Sequence, residues 1–94
     1  MDNQAAESRP ARHPGVVIGE ETETSEWFLV KRRKALKIDA IGKEIWELCD
    51  GSRSIAEIAD VLGTRYSGTA DHISRDVDRF VRSLDVFGFV RWRT

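Results

Sequence analysis

Hydrophobic and polar residues follow two different periods along this chain, and the period changes near Asp39. Before that residue, three short apolar runs at 16–18, 27–30 and 35–38 are typical of strands, and the third alternates in polarity. After it, apolar residues recur at helical spacing over about 40–50, 55–66 and 70–87. The pattern predicts an α+β fold in which three short antiparallel strands precede three helices.

Residue chemistry at the predicted helix ends supports these boundaries. Asp39 and Thr69 are residue types that cap helix N-termini by accepting hydrogen bonds from free amides. Ser54 and Glu57 have the spacing of a capping box at the start of the second helix. Gly51 offers the left-handed backbone position that commonly ends a helix. The link between the first two helices is therefore short, and the helices are expected to cross at a steep angle.

The two ends of the chain show weaker patterns. Residues 1–14 contain two prolines, charges that cancel and no apolar period, which predicts a mobile tail ahead of a domain at 15–94. The basic run at 31–34 is the expected tip of a hairpin. Residues 89–93 alternate apolar and basic side chains and predict a short C-terminal strand. This order of elements is winged-helix-like.

Composition narrows the class of protein. With 94 residues, 40% hydrophobic and 33% charged, the chain fits one soluble globular domain. No apolar run approaches the roughly 20 residues that cross a bilayer, so we expect a cytoplasmic protein without a membrane partner. The only cysteine, Cys49, falls on an apolar helix face and is expected in the core, which excludes an internal disulfide.

The sequence offers little support for catalysis. The two histidines, His13 and His72, have no local partner at the spacing of metal ligands or of a catalytic triad. The glycines stand singly and form no phosphate-binding loop. We therefore expect no catalytic residue, no bound metal and no cofactor.

A nucleic-acid-binding function has one supporting feature, a basic stripe on the predicted third helix. Arg75, Arg79 and Arg82 share one helix face. Acidic residues follow the same helix at their own spacing and would neutralise that stripe, and the net charge is −1. Phosphate binding depends on uncompensated cations. The stripe is better explained as a solvated face with salt bridges, and a small winged-helix transcriptional regulator remains the alternative.

The small predicted sheet suggests a third function. An outer strand at 35–38 would leave backbone amides and carbonyls unpaired. Proteins cover such an edge, protect it with charged residues, or use it for binding. Such an edge can accept an extended peptide as an added strand. Both faces of the strand at 27–30 are apolar. Either another element packs on each face of the sheet, or one face has no such element in the free protein.

Three stretches of this sequence resemble a known family. Residues 45–51 read IWELCDG and residues 53–58 read RSIAEI, which is similar to the helix end and second-helix start of PqqD-like peptide chaperones, also called RiPP recognition elements. Residues 73–84, ISRDVDRFVRSL, resemble the third helix of that family. The resemblance covers about 16–92.

The resemblance implies a non-catalytic chaperone that binds the leader of a ribosomally made precursor peptide. In the family, the leader adds a strand beside the third strand and lies against the third helix. Carried onto this sequence, the peptide-binding residues lie in the third strand and on one side of the third helix. They are Ala35, Leu36, Lys37, Ile38, Asp76, Arg79, Phe80 and Ser83.

The same resemblance implies partners. The bound leader would be presented to a modifying enzyme or a leader protease, such as a radical SAM enzyme, a cyclase or a peptidase. Residues 27–34 lack the Leu-Leu-Tyr-Pro-Glu-like stretch of members that serve pyrroloquinoline quinone (PQQ) synthesis. The first helix looks more like stand-alone chaperones of lasso-peptide pathways. The exposed strand edge also leaves a homodimer open.

Overall fold

The computed structural model describes residues 8–24 and 26–93. They form five strands and three helices. The strands are β1 (Arg9–Arg12), β2 (Val17–Glu21), β3 (Glu26–Lys31), β4 (Lys34–Ile38) and β5 (Val90–Arg93), and the helices are α1 (Ala40–Leu48), α2 (Ile55–Gly63) and α3 (Ala70–Val86).

The predicted N-terminal sheet is confirmed as the antiparallel order β2-β3-β4. Lys31 pairs with Lys34 across a two-residue turn, so the basic run is the hairpin tip. Arg32 has φ of 58°, the left-handed conformation that such turns use at their first central position. One sheet face packs on the helices through Leu29 and Ile38, which are fully or almost fully buried.

The other face of this sheet is open to solvent. Val17 pairs with Val30 on that face, and their side chains are 68% and 38% exposed. Phe28 lies on the same face, two residues along β3 from Val30 and in register with Gly19; it is half-buried and outside the core cluster. The apolar pattern on both faces of β3 therefore reflects one covered face and one uncovered face.

The predicted tail at 1–14 is wrong for Arg9–Arg12. That segment forms β1 and pairs antiparallel with β5, with Pro10 opposite Trp92 and Ala11 opposite Arg91. The C-terminal strand is thus confirmed, and its partner is the other end of the described chain. Proline removes a backbone donor and local alternation over four residues is weak, so the pairing has no local signature. Residues 1–7 of the predicted tail lie outside the described residues.

The helix predictions hold at their N-termini. Oδ1 of Asp39 accepts from the Gly42 amide at 2.8 Å, Ser54 and Glu57 form a complete capping box, and Thr69 caps α3. Gly51 adopts φ of 84°, the left-handed position expected of it. The C-termini come earlier than the periodicity indicates. Beyond α1 and α3, Cys49 and Phe87 still pack inward from the turns that follow, whereas Tyr66 beyond α2 is exposed.

The core lies between the inner sheet face and the three helices. Cys49 is fully buried there, as predicted, together with Ile58, Val81, Leu84 and Phe89. None of the helices described for this chain is long and apolar enough to cross a membrane. The α+β order predicted from the sequence is confirmed.

Candidate functional site

The outer edge of β4 has no strand partner within the described part of the chain. The pair that flanks a two-residue hairpin turn, here Lys31 and Lys34, is hydrogen-bonded, and hydrogen-bonded pairs alternate along an antiparallel ladder. Leu36 and Ile38 therefore bond to β3, whereas Ala35 and Lys37 direct their amides and carbonyls away from it. This edge can pair with an added strand.

Ile38 of β4 and Phe80 of α3 both pack against Gly42, at one end of the edge. The two side chains meet at Gly42 in the first turn of α1, where an added Cβ would lie 3.1 Å from Cβ of Ile38 and 3.1 Å from the Phe80 ring. Only a hydrogen atom fits there without displacing one of them. Phe80 is half-buried and packs on the core, so part of its ring stays exposed to solvent.

An apolar pocket of about 230 Å³ lies between α1, α2 and the first half of α3. Ile41 from α1 and Tyr66 from the α2–α3 link border its opening, and they are 46% and 38% exposed. Glu44 bonds both Tyr66 and Arg65, whose Nη1 lies 2.8 Å from Oε1 of the carboxylate. This pocket escaped the sequence analysis because its lining comes from three helices and a link. The lining residues are Ile41, Ile45, Leu62, Tyr66, Ser67, Gly68, His72, Ile73, Asp76 and Val77.

We call the space between the outer edge of β4 and the exposed side of α3 the groove, and the four residues predicted on α3 occupy different positions relative to it. Phe80 lies beside Ile38, and Asp76, one turn earlier, lines the apolar pocket. Arg79 and Ser83 lie farther round the helix and line a shallow, open depression with Val86. The Ser83 hydroxyl donates to the Arg79 carbonyl at 3.1 Å. The structure therefore places Phe80 and Asp76 nearest to β4 and α1, with Arg79 and Ser83 on the outer rim.

The basic stripe of α3 is only partly neutralised. Arg82 bonds Asp78 at 2.9 Å, and this contact raises the pKa of the Arg82 guanidinium. Arg75 and Arg79 have no ion-pair partner within residues 8–24 and 26–93. With a net charge of −1, two such cations provide a weak basis for phosphate binding.

Titratable side chains in the described structure form no cluster suited to a metal. Across 8–24 and 26–93, no group of three or more His, Cys, Asp or Glu side chains could hold an ion. Burial raises the pKa of the Cys49 thiol to about 12, which keeps it protonated and unreactive at neutral pH. His72 lies at the apolar pocket, and His13 lies in the β1–β2 connection, far from it along the chain.

A family model described as coenzyme PQQ synthesis protein D (PqqD) matches residues 17–90. The match covers most of the chain, from β2 to the start of β5. The chain belongs to the PqqD family. The resemblance drawn from residues 45–51, 53–58 and 73–84 is thereby confirmed.

Curated relatives in the PqqD family have similar length. A protein named PqqA binding protein from Rhodopseudomonas palustris strain TIE-1 is 35% identical over 85 residues, covering 88% of this chain and 81% of the relative. A protein of the same name from Xanthomonas campestris pv. campestris strain B100 is 29% identical over 84 residues, covering 89% and 91%.

Solved structures share the PqqD fold. TbiB1 in complex with the TbiA(beta) leader peptide superposes with a TM-score of 0.70 at 24% identity, covering 86% of this chain and 94% of that one. The PqqD truncation of Methylobacterium extorquens PqqCD, described as a functional and stand-alone RiPP recognition element, gives 0.74 at 20% identity, covering 87% of each. PqqD from Xanthomonas campestris gives 0.60 at 25% identity, covering 86% and 90%.

Proposed function

We propose that this protein binds the leader of a ribosomally made precursor peptide as a strand added to β4. The unpaired edge of β4, with Ile38 and Phe80 both packed against Gly42 at one end of it, is the observation that carries the proposal. Relatives named PqqA binding protein and a structural neighbour with a bound leader peptide support it. Ala35 and Lys37 would supply backbone hydrogen bonds, because their amides and carbonyls point away from β3.

Side chains around the groove would give the edge its selectivity. Leu36 and Ile38 point toward the helices, so inward side chains of the guest strand would pack beside them and against Phe80. A bulky apolar residue of the leader would enter the pocket lined by Ile41 and Asp76. We assign Arg79 and Ser83 to the outer rim, where they would contact polar groups of the guest.

The protein would act as a carrier without catalysing a reaction. Relatives in the family carry the name of binding proteins, and one structural neighbour is a truncation of the larger protein PqqCD, which supports association with a maturation enzyme. The partner would be a radical SAM enzyme, a cyclase or a peptidase, acting in the cytoplasm. The outer edge of β2 is unpaired in the described structure as well, so a homodimer remains part of this proposal.

Titration with the PqqA peptide of Rhodopseudomonas palustris and with the TbiA(beta) leader peptide tests the proposal. Fluorescence anisotropy should give a dissociation constant of roughly 0.1 to 100 µM for at least one of them, since strand addition buries little area and orders a flexible ligand. Binding to duplex DNA, weakened by salt, with no peptide binding would instead support the transcriptional regulator.

Proline at position 37 separates strand addition from binding elsewhere. Lys37→Pro removes one outward amide and should abolish measurable peptide binding while the far-ultraviolet spectrum stays unchanged. Lys37→Ala controls for loss of the 3.4 Å ion pair with Glu26. Glu20→Pro is the matched control, because the amide of Glu20 points outward from the opposite edge of the sheet. Equal affinity in Lys37→Pro and the wild type would refute binding at β4.

A further inference from the structure

The β3–β4 turn carries four consecutive cations, and strand addition leaves them without a role. We call Lys31, Arg32, Arg33 and Lys34 the basic tip. Within the described ranges 8–24 and 26–93, none of the four has an ion-pair partner. The five ion pairs found there are made by other cations, namely Lys37, Lys43, Arg53, Arg65 and Arg82. The ammonium of Lys31 donates to the carbonyl of Gly88 at 3.3 Å. The tip is therefore an uncompensated positive patch.

The basic tip lies at the end of the proposed peptide groove. A depression of about 370 Å³ separates the tip from the α3 C-terminus, and Phe87 completes its lining. Phe87 follows Phe80 by seven residues, so the two rings lie on the same side of α3. Because β4 begins at Lys34 and ends at Ile38, a strand added along β4 would have one end beside the tip and the other beside Ile38, where Ile38 and Phe80 pack against Gly42.

Charges near the tip add to its field. Desolvation, followed by the charges of Lys31, Arg91 and Arg32, lowers the pKa of His13 below its ordinary value. Arg91 comes from β5, so cations from two sheets converge on this corner of the molecule. No carboxylate is among the groups that act on His13. The field at the tip would attract carboxylates on a peptide that reaches it.

The opposite end of the same sheet carries the opposite charge. Glu20, Glu21, Glu23 and Glu26 lie at or near the β2–β3 turn, which is at the far end of β3 from the tip. Of these carboxylates, Glu26 is the one paired, with Lys37. Glu20 and Glu21 lie on β2, two strands from the β4 edge, and Lys37 at this end of β4 is already paired with Glu26. Carboxylates at one end of a guest strand would therefore favour the direction that brings them to the basic tip.

We propose that the basic tip selects leader peptides that carry acidic residues at the end of the guest strand beside the β3–β4 turn, and that it fixes the direction of that strand. This inference rests on the proposed strand addition to β4. Exposed ion pairs are individually weak, so removing two tip charges should lower affinity by about fivefold to thirtyfold, and salt should reduce the difference.

Selection from a display library of random peptides tests the proposal without a known leader. Peptides recovered on immobilised wild-type protein should share acidic residues at one end of a common apolar pattern. A neutral-tip variant, Arg32→Asn/Arg33→Ser, should not enrich those acidic residues; asparagine tolerates the left-handed conformation at position 32. Arg53→Ser/Arg93→Ser removes the same net charge beside the α1–α2 link, where Arg53 pairs with Asp50 and Arg93 lies against Gly51, and serves as the matched control.

One synthetic peptide from the recovered pool then provides the affinities. Binding should weaken about tenfold in the neutral-tip variant and less than about twofold in the control. Carboxylates held at the tip should also raise the pKa of His13, which nuclear magnetic resonance can follow, with His13→Gln assigning the signal.

Two sets of results would overturn the inference at different levels. Pools without acidic bias, an unchanged pKa of His13, or equal losses in the two double variants would refute selection by the tip while leaving strand addition intact. Recovered peptides that bind Lys37→Pro as tightly as the wild type, or failure to recover any peptide, would refute strand addition and the inference with it. If duplex DNA binding depends on the tip and no acidic peptide is recovered, the tip binds DNA phosphates and does not select peptides.

Discussion

The outer edges of β1 and β4, one in each sheet, differ in whether another part of the chain covers them. In the two-stranded sheet, the outer edge of β1 is occupied by the α1–α2 link: the Arg12 amide donates to the Cys49 carbonyl at 2.8 Å, and the Gly51 amide donates to the Pro10 carbonyl at 2.9 Å. In the three-stranded sheet, β2 and β4 both have outer edges without a strand partner among the described residues.

The comparison shows that an open edge is not forced on this chain by its small size. The same fold closes β1 with backbone bonds and with Arg12, whose guanidinium donates to the Trp46 carbonyl at 3.1 Å at the end of α1. Unpaired edges are a liability that proteins usually cover. Strand addition at β4 requires an unpaired edge, because an edge closed like that of β1 could not accept a guest strand.

The largest expected effect compares one phenylalanine from each region. Phe89 is fully buried next to β5, and Phe89→Ala should lower the free energy of unfolding by about 3–5 kcal/mol, because truncating a core aromatic leaves a cavity. Phe28 lies on the open sheet face, and Phe28→Ala should lower the free energy of unfolding by no more than about 1 kcal/mol. Urea unfolding measures both free energies. Similar losses would mean that the outer sheet face is covered in the free protein.

The next effect concerns the capping box beside the closed edge. Ser54→Ala should lower the free energy of unfolding by about 0.5–2 kcal/mol, since Ser54 satisfies the Glu57 amide at 3.2 Å. Ser54→Thr should restore most of the loss. Unfolding in urea at neutral pH gives both values, and full stability in Ser54→Ala would contradict the role of the cap.

Acid should weaken the same closed region. Hydrogen bonds from Ser54 lower the pKa of Glu57, and hydrogen bonds from Ser52 lower the pKa of Asp50. A carboxyl whose pKa is lower in the folded state stabilises the fold above its unfolded value, 4.5 for Glu and 3.8 for Asp, and loses that contribution as pH falls through the folded value. Urea midpoints measured from pH 6 to pH 3 should therefore fall, and less steeply in Ser54→Ala.

A smaller effect tests the packing of Ile38 and Phe80 against Gly42. In Gly42→Ala the methyl group should push the Phe80 ring into the groove, at a cost of about 0.5–1.5 kcal/mol to peptide binding. Gly63→Ala meets no atom within 4 Å and should stabilise α2 by up to about 1 kcal/mol without changing peptide affinity. Unchanged affinity in both variants would remove Phe80 from the groove wall.

The smallest effect is the expected lack of reaction of the buried Cys49 thiol in the folded protein. Cys49 sits under the closed edge with its pKa raised to about 12 by burial, so Ellman's reagent at pH 8 should react only when the protein unfolds. Full reaction in guanidinium provides the control. Rapid reaction under native conditions would show that the link over β1 opens locally.

Local chemistry in the sequence determined much of this protein. Caps at Asp39, Ser54 and Thr69 fixed three helix starts, because a side chain reaches only the amides of its own first turn. Apolar periodicity placed the buried faces of the helices, and the basic run located the tip of the β3–β4 hairpin. The family resemblance was readable from the stretches around Trp46 and Phe80.

Only the tertiary structure decided the features that join distant segments. The pairing of β1 with β5 links the two ends of the described chain, and neither four-residue strand carries a pattern strong enough to predict its partner. The approach of Ile38 to Phe80 depends on Gly42, whose missing side chain matters only once three elements meet. Edges become open or closed through such long-range packing, so a local pattern could suggest the free edge of β4 but not its surroundings.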